Sequence, residues 1–117
     1  MAVNIASITT LNRVQLYQGQ PGTSSSTLYT VPSSTDVKVT EILLCNTTST
    51  SATVTLSAVA SGGTAGTTNR LLAALAVAGN ETVVIESATY LTTGGFLAAL
   101  QGTSGAIAVT ISGETYA

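Results

Sequence analysis

"ILLCNTTSTSATVTLSAV", running from Ile42 to Val59, holds both the strand signal and the surface chemistry of this chain. Four apolar residues, Ile42 to Cys45, give way to small polar ones from Asn46 to Ser51. Alternation then resumes, with Val54, Leu56 and Ala58 on one side and Thr53, Thr55 and Ser57 on the other. A period of two is the mark of a half-buried β-strand. The stretch therefore predicts two antiparallel strands joined by "NTTSTS", as a hairpin loop or a polar turn. Upstream, "DVKVTEILLCN" starts with Val37 and Val39 inward, and its phase slips at Ile42. Either a bulge near Thr40–Glu41 shifts the register, or the strand is central and covered on both faces.

Similar signals recur on both sides, separated by Gly, Ser, Thr, Asn and Pro clusters. "RVQLYQG" (13–19) places Val14 and Leu16 on one face, and "TLYTVP" (27–32) is a short strand stopped by Pro32. "GQPGTSSS" (19–26) and "SGGTAGTT" (61–68) read as loops. Residues 70–78 remain open between two readings. Leu71, Leu75 and Ala78 fit helical spacing for two turns, and Ala and Leu favour helix. Yet Gly79–Asn80 followed by "ETVVIES" resembles a hairpin turn, which favours an extended, largely buried strand. A Gly94–Gly95 turn leads to a strand from Phe96 to Gln101, and "AIAVTISGETY" places Ile107, Val109 and Ile111 on one face. The expectation is an all-β fold: a single antiparallel β-sandwich, jelly-roll-like, of seven to eight strands over residues 13–117. An N-terminal arm occupies residues 1–12.

Composition narrows the function. At 117 residues the chain suits one domain. Its charged fraction is 7%, against about 25% in ordinary soluble domains. Thr and Ser take the place of the missing charges, at 35 of 117 residues. Threonine is β-branched and suits a pleated surface, and its hydroxyl can be buried against a neighbour far more cheaply than a Lys or Glu. Interface cores are depleted in charge, so a surface of this kind implies burial against other subunits. The three cations, Arg13, Lys38 and Arg70, are scattered, which argues against nucleic acid as a partner. The longest apolar run, Leu71 to Gly79, is half a membrane span. No signal-peptide pattern opens the sequence, and Cys45 is alone, consistent with assembly in a reducing cytoplasm.

Catalytic chemistry has little to work with. Without histidine, Ser-His-Asp and Cys-His activation lack their base. With one cysteine besides, zinc lacks a ligand set. No cofactor fingerprint is present, since "SGGTAG" lacks the lysine and helix of a phosphate cradle. Asp36, Glu41, Glu81, Glu86 and Glu114 could act as a glycosidase pair only if two converged across a cleft. The reading is a non-enzyme with no catalytic, cofactor-binding or metal residues.

Four stretches, "LYTVP" (28–32), "VTEILLCNTTSTSATVTLSAV" (39–59), "SGGTAGTTNRLL" (61–72) and "AGNETVVIE" (78–86), carry a resemblance to small β-sandwich virion proteins of tailed phages. It spans roughly residues 26–112. "SSTD" after Pro32 departs from the glycine-containing turn that relatives often have. The resemblance implies a structural protein of the virion, most simply a capsid decoration protein bound in many copies. A tail or fibre accessory protein with a glycan-binding role is the alternative. It further implies the major capsid protein or other virion proteins as partners, and a homo-oligomer such as a trimer. Val3, Ile5, Ile8 and Leu11, spaced among polar residues, are the expected contacts of the arm with a neighbour.

Overall fold

The computed structural model describes residues 10–117. These form eight strands: β1 (Leu11–Gly19), β2 (Ser26–Thr30), β3 (Asp36–Asn46), β4 (Ala52–Val59), β5 (Arg70–Val77), β6 (Thr82–Leu91), β7 (Phe96–Gln101) and β8 (Ile107–Tyr116). They pair into two four-stranded antiparallel sheets, β1-β8-β3-β6 and β2-β7-β4-β5. Only β4 and β5 are neighbours both in sequence and in a sheet; every other connection crosses from one sheet to the other. That is the jelly-roll arrangement of a β-sandwich, as expected from the strand pattern.

The phase slip in β3 is a bulge. Val39 faces Gly113 of β8 and Glu41 faces Ser112, leaving Thr40 as the extra residue. Val37 and Val39 point into the core before it, and Ile42, Leu44 and Asn46 after it, all buried. The strand is also central in its sheet, but Leu43 and Cys45 on its other face are only half-buried. The bulge brings the backbone of β3 close to β8. A Cβ at Gly113 would collide with the Lys38 carbonyl oxygen and lie 2.9 Å from Leu16 Cδ1.

Two sequence expectations need correction. "NTTSTS" is no hairpin, because β3 and β4 lie in different sheets; residues 47–51 form an arch between them. Asn46 determines this. Buried at the end of β3, its Nδ2 donates to the carbonyls of Thr50 (2.8 Å) and Val77 (2.9 Å). Its Oδ1 accepts from the Thr48 N–H (2.9 Å) and hydroxyl (2.8 Å). The connection at Gly79–Asn80 is likewise an arch from β5 to β6. It packs on the first: the Asn80 N–H donates to the Thr48 carbonyl at 2.8 Å, and a Cβ at Gly79 would strike the Ser49 carbonyl.

Residues 70–77 are a strand, as favoured, but not a largely buried one. β5 is an edge strand whose Leu71, Ala73, Ala74 and Ala76 are exposed. Its register against β4 shifts twice, around Leu56, and Ala74 holds a left-handed φ of 49°. The Ala74 N–H donates to Thr55 Oγ1 at 3.0 Å.

Between the sheets lies one core. Ile42, Leu44, Leu56, Leu97, Ile107 and Ile111 are its largest fully buried apolar side chains, each stabilising the fold by about 1.5–3 kcal/mol. Gln101 is buried among them. It accepts from the Ile107 N–H at 2.8 Å and donates to the Pro21 carbonyl, tying the loop after β1 to the start of β8.

Candidate assembly surfaces

The two outer faces of the sandwich differ in charge. Arg13, Asp36, Lys38, Glu41, Glu86 and Glu114 all sit on strands of the β1-β8-β3-β6 sheet. Registers place four side chains in one row across it. Arg13 lies opposite Glu114, Glu114 opposite Lys38, and Lys38 opposite Tyr90. The Arg13 Nε and Glu114 Oε2 are 3.6 Å apart, Lys38 Nζ lies 5.8 Å from the Tyr90 ring centroid, and the Tyr116 hydroxyl donates to Glu114 Oε1 at 2.8 Å. That hydrogen bond, with lesser help from burial and the carboxylate's charge, raises the Tyr116 pKa above its ordinary value. An open hollow of about 520 Å³ lies over the row, lined by Arg13, Gln15, Thr40, Ser112 and Glu114.

The β2-β7-β4-β5 sheet carries Arg70 as its one ionisable group of the Asp, Glu, Lys and Arg types. Its outer face is built from Thr27, Thr30, Thr53, Thr55 and the alanines of β5. Part of it is closed over by the 61–68 loop, which shares a small hollow with Ser57, Ala98 and Leu100. This cover explains why Ser57 and Ala98 are 3% exposed although they point away from the core.

Third is the flank where the sheets end at β5 and β6. Leu72, Leu75, Val83 and Ile85 pack on the core from here but remain only partly buried. Toward Arg70 and Tyr90 the flank opens into a groove of about 420 Å³, lined by both sheets and including Leu71, Thr89 and Tyr90. Leu71, Val84 and Tyr90 are exposed, at 37%, 57% and 69%. The opposite flank, at β1 and β2, is closed differently: Tyr17 and Tyr29 lie against the core beside Val14 and Leu28. Burial there raises the Tyr29 pKa.

Among the four expected arm contacts, Leu11 is the first residue of β1, paired with Tyr116 and 57% exposed. Val3, Ile5 and Ile8 lie outside the described residues. The strand thus begins two residues before "RVQLYQG". As for the carboxylates, Glu41 stands opposite Glu86 on an outer sheet face, while Glu81 sits in the β5–β6 arch, about 15 Å along the strand from Glu41. No group of three or more His, Cys, Asp or Glu residues placed to hold a metal occurs among the described residues. Sequence reading missed Leu71, Val84 and Tyr90 as a group, because only the strand order places them on one flank.

No protein-family model matches the sequence. No curated protein matches it. Solved structures do resemble it in fold. One is a protein of Bacillus endospore appendages, described as a family of disulfide-linked pili, at 19% identity and a TM-score of 0.54, covering 92% of this chain and 86% of that one. Another is a chain of infectious bursal disease virus, Gx strain, at 14% identity and a TM-score of 0.50. There the match covers 92% of this chain and spans about a third of the viral one, 32%. At these identities the likeness is one of fold: this chain has the β-sandwich architecture found in a pilus-forming protein and in a virus.

Proposed function

We propose that this protein is a structural subunit of a virion, a capsid decoration protein that binds the assembled shell of a tailed phage in many copies and stabilises it. One observation carries the reading: a sandwich with one sheet face almost free of ionisable groups. Such a face can be buried against a neighbour without the several kcal/mol that an unpaired charge costs. The fold's occurrence in a virus and in a pilus supports a structural role. The partners are the major capsid protein or other virion proteins, together with copies of the chain itself, and the place is the virion.

Stabilisation works by linkage. A subunit that binds the assembled shell, and not its loose parts, adds about 2.7 kcal/mol per site when present at 100 times its dissociation constant. Repeated over many sites, this opposes the outward pressure of a packaged genome.

The whole-length match to the appendage protein favours a second reading, a subunit of a tail or fibre that assembles with its own kind. Copy number separates the two. Quantitative mass spectrometry of purified particles should find hundreds of copies for a shell decoration and tens or fewer for a tail component. Absence from particles altogether would refute both.

A further inference from the structure

We propose that the open β5/β6 flank receives the N-terminal segment, residues 1–9, of a second copy, laid as an added strand along the free edge of β6. This rests on the subunit reading above and names its partner.

The flank is unfinished as a core. Leu72 and Leu75 of β5 and Val83 and Ile85 of β6 face inward but remain partly open. Beside them Leu71 is exposed; two more of the four large hydrophobic side chains exposed among the described residues, Val84 and Tyr90, belong to β6 but turn to the outer face of its sheet, opposite Leu43 and Lys38. The fourth, Leu11, stands at the start of β1, on the opposite flank. Leu71 and the half-open row of Leu72, Leu75, Val83 and Ile85 are thus apolar surface on a flank that no described strand covers. An edge strand of ten residues presents unpaired N–H and C=O groups to any extended chain. Of the other free edges, β1 is the strand the segment itself extends, β2 has only five residues and β5 is bulged twice, against one register shift in the ten residues of β6.

The segment has the chemistry the site wants. "MAVNIASIT" carries no ionisable side chain, and Val3 and Ile5 are two apart, so as a strand both turn to one side. Directed inward, they would cover the aliphatic row of β5 and β6. At about 3.3 Å per residue the nine residues reach about 30 Å. Crossing its own sheet takes three strand spacings of about 4.8 Å, roughly half that reach. Serving its own β6 would use up half the segment in transit, whereas an abutting copy can take all of it. The contact is heterologous, departure flank to receiving flank, so it propagates around a closed ring or along a fibre.

The test uses the full chain in a Cys45→Ala background carrying Ile5→Cys and Leu71→Cys, oxidised at a concentration where oligomers exist. A ladder of covalent dimers and higher species is expected on non-reducing gels, with the single-cysteine variants giving none above dimer. In parallel, Ile5→Glu and Leu71→Glu, the latter at an exposed position, should each weaken association at least tenfold in sedimentation velocity while keeping the parent's β-sheet circular dichroism. A cross-link confined within single chains, or oligomers that neither Glu variant disturbs, would overturn the inference and leave the subunit reading standing. A parent chain that stays monomeric at every concentration and joins no particle would overturn both.

Discussion

Asn46 is buried at the end of β3 with all its side-chain hydrogen-bonding atoms engaged, holding the 47–51 arch and the carbonyl of Val77 at once. Asn46→Ala strips partners from several buried or half-buried backbone groups. Each such orphan costs about 1–3 kcal/mol, so a loss of about 3 kcal/mol is expected, read as a lower denaturant midpoint with an unchanged slope. Gly113→Ala forces a methyl group against the Lys38 carbonyl and Leu16. Backbone cannot retreat as a flexible side chain can, and about 2 kcal/mol of destabilisation is the expected cost. Arg13→Ala, by contrast, removes one exposed ion pair and should change stability by less than about 0.5 kcal/mol. Two tyrosines make stability depend on alkaline pH. Tyr29 and Tyr116 both have pKa values raised above 10.0 in the folded protein, so the native state holds these protons more tightly than the unfolded chain does. Their contribution is complete below the unfolded value, near pH 10, and is lost as pH rises through the native values. Denaturation followed against pH should show stability falling above about pH 10, and a Tyr29→Phe/Tyr116→Phe variant should flatten that decline.

At the level of the element, β5 is the most informative strand. Ala74 takes a left-handed φ that costs a non-glycine residue about 1–2 kcal/mol. Ala74→Gly should therefore raise the melting temperature by a few degrees or leave it unchanged, whereas Ala74→Val should lower it; differential scanning calorimetry decides. Much of this level was legible in the sequence. Alternation located β3, β4 and β8, the Gly94–Gly95 turn located β7, and the broken phase at Ile42 offered the Thr40 bulge as one of two explanations, because burial imposes period two on any strand with one face in a core. Partner choice was not legible. Gly79–Asn80 and "NTTSTS" have the composition of hairpin turns, and composition reports local backbone freedom without saying which sheet the next strand joins. What sends β3 and β4 apart is Asn46 reaching the Val77 carbonyl, 31 residues away in sequence. The apolar run of β5 misled in the same way: Leu and Ala there signal burial, but with two bulges and an edge position four of the six are exposed.

Across the whole molecule, charge is segregated: one sheet carries six of the eight Asp, Glu, Lys and Arg residues, and the other carries Arg70. Association through the uncharged face or the apolar β5/β6 flank should be nearly indifferent to salt. Raising ionic strength from about 0.05 to 0.5 M shortens the Debye length from roughly 14 to 4 Å, and sedimentation should nevertheless show less than a threefold change in the dissociation constant. A steep weakening with salt would instead place the interface on the Arg13–Glu114–Lys38 row. How poor the chain is in charge was plain in the sequence, with eight Asp, Glu, Lys and Arg residues in 117. That the charges gather on one sheet could be read only once the strands were ordered in space.

The position of β8 governs how this protein can be made. It lies between β1 and β3, so among the described strands β1 has no hydrogen-bonded neighbour until β8 has been synthesised. During translation β1 and β3 therefore wait with bare edges, exposed to aggregation and to capture by chaperones. Premature termination anywhere before Ile107 leaves a sheet that cannot close.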